Sequence, residues 1–229
     1  MGSVIYEMMG IPGCGKSSIC ENVDTGIKNA FHTEKDFYSV LRKKMGRILS
    51  FRFCLVEKSK VRNELIRSCK QCALQGKEDL AKKKVLKLLR FKGIRAKSNE
   101  DFLMSEGYLQ AVLEIMDALK IKSLSECGTL YKYVINDLRN TQELRFILVS
   151  VPVEVSLARI QSRINRNSID AMDAEQRRVF MERRFANTLS LMETVRENVP
   201  EERILCLDGQ RPIEENSAIL SEWMNKRNG

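Results

Sequence analysis

Met8-Met9-Gly10-Ile11-Pro12-Gly13-Cys14-Gly15-Lys16-Ser17-Ser18 is the stretch that decides how this chain folds. Gly10 to Ser17 matches GxxxxGK[ST] at every fixed position. The pattern carries meaning only between a strand and a helix, and the flanks supply both. Val4 to Met9 is a short, mostly apolar run ending in glycine, as a buried strand does. Lys16 to Ile27 reads as a helix. Glycines let backbone N–H groups converge on phosphate oxygens, and the helix N-terminus adds partial positive charge. Gly10, Ile11, Pro12, Gly13, Cys14, Gly15, Lys16, Ser17 and Ser18 are therefore the candidate phosphate-binding residues. In such a loop the lysine reaches the outer phosphates and the Ser17 hydroxyl is placed to ligate Mg²⁺.

Working outward, strand and helix patterns alternate. Ala30-Phe31-His32-Thr33-Glu34 reads as a second strand, Phe102-Leu103-Met104 as a third, Phe146 to Val151 as a fourth and Ile204 to Leu207 as a fifth. Helical periodicity runs over Tyr108–Leu119, Val153–Ile164, Gln176–Val195 and Ile213–Met224. This alternation predicts an α/β fold with a parallel sheet covered on both faces, in a single domain over 1–229. The segment 41–98 is different. It fits helices, with one apolar stripe of Leu65, Ile66, Cys69, Cys72 and Ala73 and another of Leu80, Val85, Leu88 and Leu89; Gly76 and Gly93 read as breaks. Nearly 60 residues between strands two and three exceed a simple crossover, so 41–98 reads as a helical insertion on the acceptor side.

Charge is concentrated in that insertion. Of the 39 Lys and Arg in a chain of net charge +9, 19 lie between Leu41 and Ser98 against only Glu57, Glu64, Glu78 and Asp79. The excess suits a solvated helical lid, a clamp for an anionic acceptor, or a nucleic-acid or anionic-membrane surface. Phe51, Phe53 and Phe91 are its only aromatics, which is thin for base stacking. With 43% hydrophobic and 30% charged residues, disorder and low-complexity character are excluded. No apolar run is long enough to span a bilayer. The first residues carry Glu7 within the apolar run and lack a basic stretch, which argues against a signal peptide. Myristoylation at Gly2 fails because Tyr6 stands where the motif wants Ser or Thr. The chain is expected to be cytoplasmic. Its seven cysteines then read as reduced. Only Cys69 and Cys72 have metal-like spacing; without a second pair they read as helix-packing thiols.

On these residues the chain resembles the P-loop kinases, in the branch holding adenylate, thymidylate and deoxynucleoside kinases. Phe102-Leu103-Met104-Ser105-Glu106-Gly107-Tyr108 resembles their apolar strand ending in an acid beside the phosphate loop. Phe146 to Pro152, followed by Val155 to Arg163, resembles their fourth strand and arginine-bearing lid helix, and Leu205 to Gly209 their fifth strand. The likeness covers 1–40 and 100–229, leaving the basic segment outside. The phosphate loop and Ser105-Glu106-Gly107-Tyr108-Leu109-Gln110 are also similar to kinase-like proteins of polysaccharide gene clusters. The resemblance implies a three-layer fold with a five-stranded parallel sheet ordered 2-3-1-4-5, a lid over about 159–180, and an enzyme moving the γ-phosphoryl group of ATP with Mg²⁺. Glu106 takes the metal-side acid role although Ser105 stands where many relatives carry Asp, and Asn165 stands where they often carry a third lid arginine. No guanine-specificity or ABC-type signature occurs.

Lys16, Asp36, Glu106, Arg159 and Arg163 are the candidate catalytic residues, and Ser17 with Glu106 the candidate metal ligands. Asp36, with Glu34 as the alternative, suits a carboxylate that orients a hydroxyl acceptor, and Arg42 suits a phosphate clamp. Arg159, Arg163 and Arg166 fall on one helix face and suit closure over a transferring phosphoryl group; Arg183 and Arg184 are weaker candidates for that role, with pairing to nearby acids as the alternative. His32 reads as packed, and Cys14 as a small residue of the loop. The acceptor is expected to be a small molecule, glycan or nucleotide, with a homodimer as a further expectation. A nucleotide or nucleoside kinase proper, and a slow ATPase holding a polyanion, are the alternative activities. Asp36→Asn is expected to cut transfer to a hydroxyl acceptor by about 10²-fold; an initial-rate assay giving full activity removes Asp36 from the mechanism.

Overall fold

The computed structural model describes residues 4–23, 57–97, 101–141, 144–162, 169 and 171–226. Four parallel strands form the sheet: β1 (Ile5–Met9), β2 (Phe102–Met104), β3 (Leu144–Ser150) and β4 (Ile204–Asp208), in the order β2-β1-β3-β4. These are the expected first, third, fourth and fifth strands in the expected order. The expected second strand, 30–34, lies outside the described residues, so the sheet has four described strands where five were predicted.

Side chains alternate along β1 and β3, and each set meets a different helical layer. Ile5, Met9, Phe146 and Leu148 face one core. It is completed by α2 (Ser59–Cys72), α3 (Glu78–Lys97), α4 (Tyr108–Leu119) and α5 (Gly128–Asn140). Tyr6, Met8, Ile147 and Val149 face the other, with α1 (Lys16–Asn22), α6 (Val153–Gln161) and α8 (Ile213–Asn225). The long α7 (Ala174–Asn198) gives Met181 to the second core and Leu191, Met192 and Val195 to the first. With both faces covered, the central strands are apolar save for Glu7 in β1 and for Arg145 and the terminal Ser150 in β3.

The described part of the basic segment packs into the first core through Leu65, Val85, Leu88, Leu89 and Ile94. Gly76 occupies the turn between α2 and α3 with φ 78°, as a break should. Gly93 does not break anything: it is buried inside α3, where packing against the core outweighs a propensity cost of about 1 kcal/mol. Leu80, placed on the apolar stripe by sequence, is 39% exposed. No element is expected between Leu119 and Phe146, yet α5 fills much of that span and buries Leu130, Val134 and Leu138.

Much of the inward-facing charge of α3 is matched by acids of the core. Lys84 and Lys87 bond Glu114 of α4 at 2.8 and 2.7 Å. Burial alone would push that carboxyl up, but the two lysines outweigh it and hold it below its ordinary value. Further along, Asp137 of α5 receives Arg95 at 2.7 Å and Lys92 at 3.0 Å, and Lys92 also pairs with Glu57. Tyr133 donates to Glu57 at 2.8 Å and carries Lys92 over its ring. Asp137→Ala is predicted to cost about 3–5 kcal/mol in urea unfolding, because the largely buried Arg95 loses its anion and Lys92 loses one of its two. A loss below 1 kcal/mol would show the network to be solvent-screened.

Candidate active site

The phosphate loop follows β1 and takes the shape its glycines permit. Gly13 and Gly15 have φ of 84° and 102°, a region that L side chains rarely adopt. Gly15 caps α1 without a side-chain hydrogen bond and no acid lies in the first turn, so the first N–H groups of that helix stay available to an anion. The loop is tied to its neighbours: the Ser156 hydroxyl of α6 donates to the Pro12 carbonyl. Lys16 is almost fully buried and donates to the carbonyls of Gly10 at 2.8 Å and Ile11 at 3.2 Å.

Across the loop, β2 ends at Ser105-Glu106-Gly107 and α4 begins. What fixes this junction is Glu7, a fully buried carboxylate in the middle of β1. Its Oε1 accepts the backbone N–H of Leu109 in the first turn of α4. Gly107 has to be glycine here, since a Cβ would fall 2.6 Å from the Glu7 carboxyl carbon. Burial pushes the Glu7 carboxyl up to about 7; the N–H groups of α4 and the Arg95 guanidinium oppose it without winning.

A cavity of about 370 Å³ opens between loop and junction, lined by Lys16, Ser17 and Ser18 on one side and Glu106, Gln110, Glu114, Phe180 and Arg184 on the other. Pro12, Gly13 and Gly15 form its floor with Ile169 at its rim. Arg184 of α7 is 4% exposed and is held by Asp117 of α4. Asn187 donates to the same carboxylate at 3.2 Å. Burial pushes Asp117 up, against the pull of Arg184 and Arg183. Gln110 is buried and its Oε1 has no partner among the described residues.

The structure thus brings Lys16, Ser17, Ser18 and Glu106 into one cavity, while Ile11 and Cys14 are buried behind the loop. Arg159 is not among the lining residues and donates instead to the Gly209 carbonyl at 2.9 Å, in the turn after β4. His32, Glu34, Asp36, Arg42, Arg163 and Arg166 lie outside the described residues. Arg184, a weaker candidate by sequence, both pairs with an acid and lines the phosphate-loop cavity. Gln110, Glu114 and Glu7 were not singled out for the site. Among the described residues no group of three or more His, Cys, Asp or Glu is arranged to hold a metal ion, and no helix is long and apolar enough to cross a membrane.

No protein-family model matches this chain, and no curated protein matches it. Solved structures do. A deoxyadenosine kinase from M. mycoides with bound dATP superposes with a TM-score of 0.50 at 14% identity, over 99% of this chain and 100% of that one. The chain shares the fold of that kinase. A structure of that deoxyadenosine kinase with the product dCMP and a flexible dCDP gives a TM-score of 0.47 at 19% identity, over 98% of each chain.

The raised Glu7 carboxyl makes stability depend on pH. The folded chain holds this proton more tightly than the unfolded one, so stability is full below the ordinary 4.5 and is lost as pH rises through about 7. Glu7→Gln is expected to flatten that slope, which amounts to at most about 3 kcal/mol. Urea midpoints at pH 5 and pH 8 check this, and equal slopes in both proteins would contradict it.

Proposed function

We propose that the chain is a phosphotransferase that moves the γ-phosphoryl group of ATP to a nucleoside or nucleotide acceptor. The observation that carries the reading is the single cavity in which the phosphate loop, Glu106 and Arg184 meet. Phosphoryl transfer needs positioning and charge neutralisation more than covalent participation, and these are the groups that provide it. Loop N–H groups and Lys16 cradle the outer phosphates. Arg184, prevented from swinging away by Asp117, stabilises charge on the group in flight. Gln110 offers an unpartnered amide oxygen, which suits recognition of an N–H or O–H on the acceptor. Asp36 orients or deprotonates the acceptor hydroxyl, and Arg159 and Arg163 belong to the lid.

Ser17 and Glu106 offer hard oxygen donors within the same cavity, which suits Mg²⁺, an ion that binds through one or two protein oxygens plus substrate phosphates. Mg²⁺ held there would neutralise charge between the outer phosphates. The choice of a nucleoside-class acceptor is supported by the likeness to a kinase that binds dATP.

A second reading, a slow ATPase that holds a polyanion, is favoured by one observation. The outer faces of α2 and α3 keep Lys58, Lys60, Arg67, Lys82 and Lys83 exposed, beside a groove lined by Asn63, Ile66, Arg67, Lys70, Gln71 and Lys82. Incubation with γ-labelled ATP, Mg²⁺ and a panel of nucleosides and nucleoside monophosphates separates the two. Label in a nucleoside phosphate is expected, abolished by Lys16→Ala and reduced about 10²-fold by Arg184→Ala with circular dichroism unchanged. Label only in free phosphate, accompanied by salt-sensitive polyanion binding, would replace the first reading by the second.

A further inference from the structure

A second cavity, of about 920 Å³, opens where the ends of β3 and β4 meet α6, α7 and α8. It has the size of a small-molecule site and shares no lining residue with the phosphate-loop cavity. Val151, Val153 and Leu207, all buried, give it apolar walls together with Phe185 and Ile219.

One polar group is set into these walls without a partner. Asn216 of α8 lines the cavity and is 1% exposed. Its Nδ2 donates to the Asp208 carbonyl at 2.8 Å, which fixes the amide and leaves Oδ1 as a buried acceptor with no partner among the described residues. A buried acceptor is costly until a donor reaches it. The charge left around it is negative. Glu182 is answered by Arg178 at 2.9 Å, and Arg211 by Glu215 at 2.7 Å. Glu154, in the first turn of α6, and Asp208, at the end of β4, also line the cavity and form no ion pair among the described residues.

These groups together select a ligand chemistry. The Asn216 oxygen calls for an N–H or O–H, the two carboxylates for positive charge, and the walls for hydrocarbon. Among the described residues no three acids are arranged to hold a metal ion, so the carboxylates suit cationic groups spaced along a stem better than a single divalent cation. A neutral heteroaromatic ring would satisfy Asn216 and leave both acids unanswered. The chain as a whole carries +9, so a cation is held only where the local field is negative, as it is here.

We propose that this cavity binds an aliphatic diamine or polyamine. An ammonium group donates to Asn216 Oδ1, ammonium groups pair with Glu154 and Asp208, and the methylene stem lies on Val151, Phe185 and Ile219. The bound amine bridges α6 to the end of β4, so the Tm rises with its concentration. Binding requires no nucleotide and makes no use of the phosphate loop.

The test is calorimetric titration of the full chain with spermidine, diaminohexane and hexamethonium. Hexamethonium keeps the stem and the two charges of diaminohexane but has no N–H to donate. Saturable binding of spermidine and diaminohexane is expected, with hexamethonium weaker by about tenfold. Glu154→Gln and Asp208→Asn are each expected to weaken diaminohexane by about threefold, a modest change because both acids are exposed. Glu201→Gln, at an exposed acid that does not line the cavity, should bind as wild type does. Hexamethonium binding as tightly as diaminohexane, or no heat from either amine at millimolar concentration, would overturn the proposal. So would unchanged affinity in the double variant Glu154→Gln/Asp208→Asn. Adenosine bound in place of the amines would also overturn it, by making the cavity a base pocket. The comparison of diaminohexane with hexamethonium uses wild type alone and stands even where a variant fails to fold.

Discussion

A carboxylate buried in the middle of an apolar strand is the constraint on which the site depends. Glu7 sits between the phosphate loop, which β1 delivers two residues after Met8, and the start of α4, whose first-turn N–H groups it accepts. Desolvating that charge is expensive, and the helix N-terminus with Arg95 returns only part of the cost. What the arrangement gives is registration. Glu106 lies just before the helix start that Glu7 holds, and Gly107 leaves room for that carboxylate and nothing larger. The two sides of the 370 Å³ cavity are thereby fixed to one another by one buried group.

Charge balance explains how the basic segment belongs to the fold. Lys84, Lys87, Lys92 and Arg95 point their charges at Glu114, Asp137 and Glu57, so α3 is joined to α4 and α5 by ion pairs as well as by apolar contact. Glu114 lines the phosphate-loop cavity, which places two lysines of the segment one residue behind the site. Among the described residues, Lys58, Lys60, Arg67, Lys82 and Lys83 stay exposed on the outer side of α2 and α3.

The parts legible in the sequence were those governed by local rules. The phosphate loop declares itself by spacing, and Tyr108–Leu119 appears with the boundaries its periodicity predicts. Helices entered through Pro152 and Pro212 begin where proline places them. α5 was also within reach, since Leu130, Val134 and Leu138 recur at helical spacing, but it lacks a flanking proline or a strong side-chain cap. Gly93 misled because a helix penalty of about 1 kcal/mol is small beside core packing. Arg184 and Glu7 were beyond local reading for a different reason. Their partners lie 67 and 102 residues away, at Asp117 and Leu109, and only the closed sheet brings them together. The acceptor-side acid at Asp36 rests on its distance from Lys16 and on the family resemblance.

A crystal structure with Mg²⁺ and a non-hydrolysable ATP analogue decides whether the phosphate loop and Glu106 act as one site. The outer phosphates are expected on the loop from Gly13 to Ser18, the metal between Ser17 and Glu106, and Arg184 turned toward the terminal phosphate. A nucleotide found instead in the separate cavity of about 920 Å³ against β4, lined by Asp208, Glu154 and Phe185, would contradict it. So would a loop left empty at saturating analogue, since the claim stands on the phosphate loop and Glu106 acting as one site.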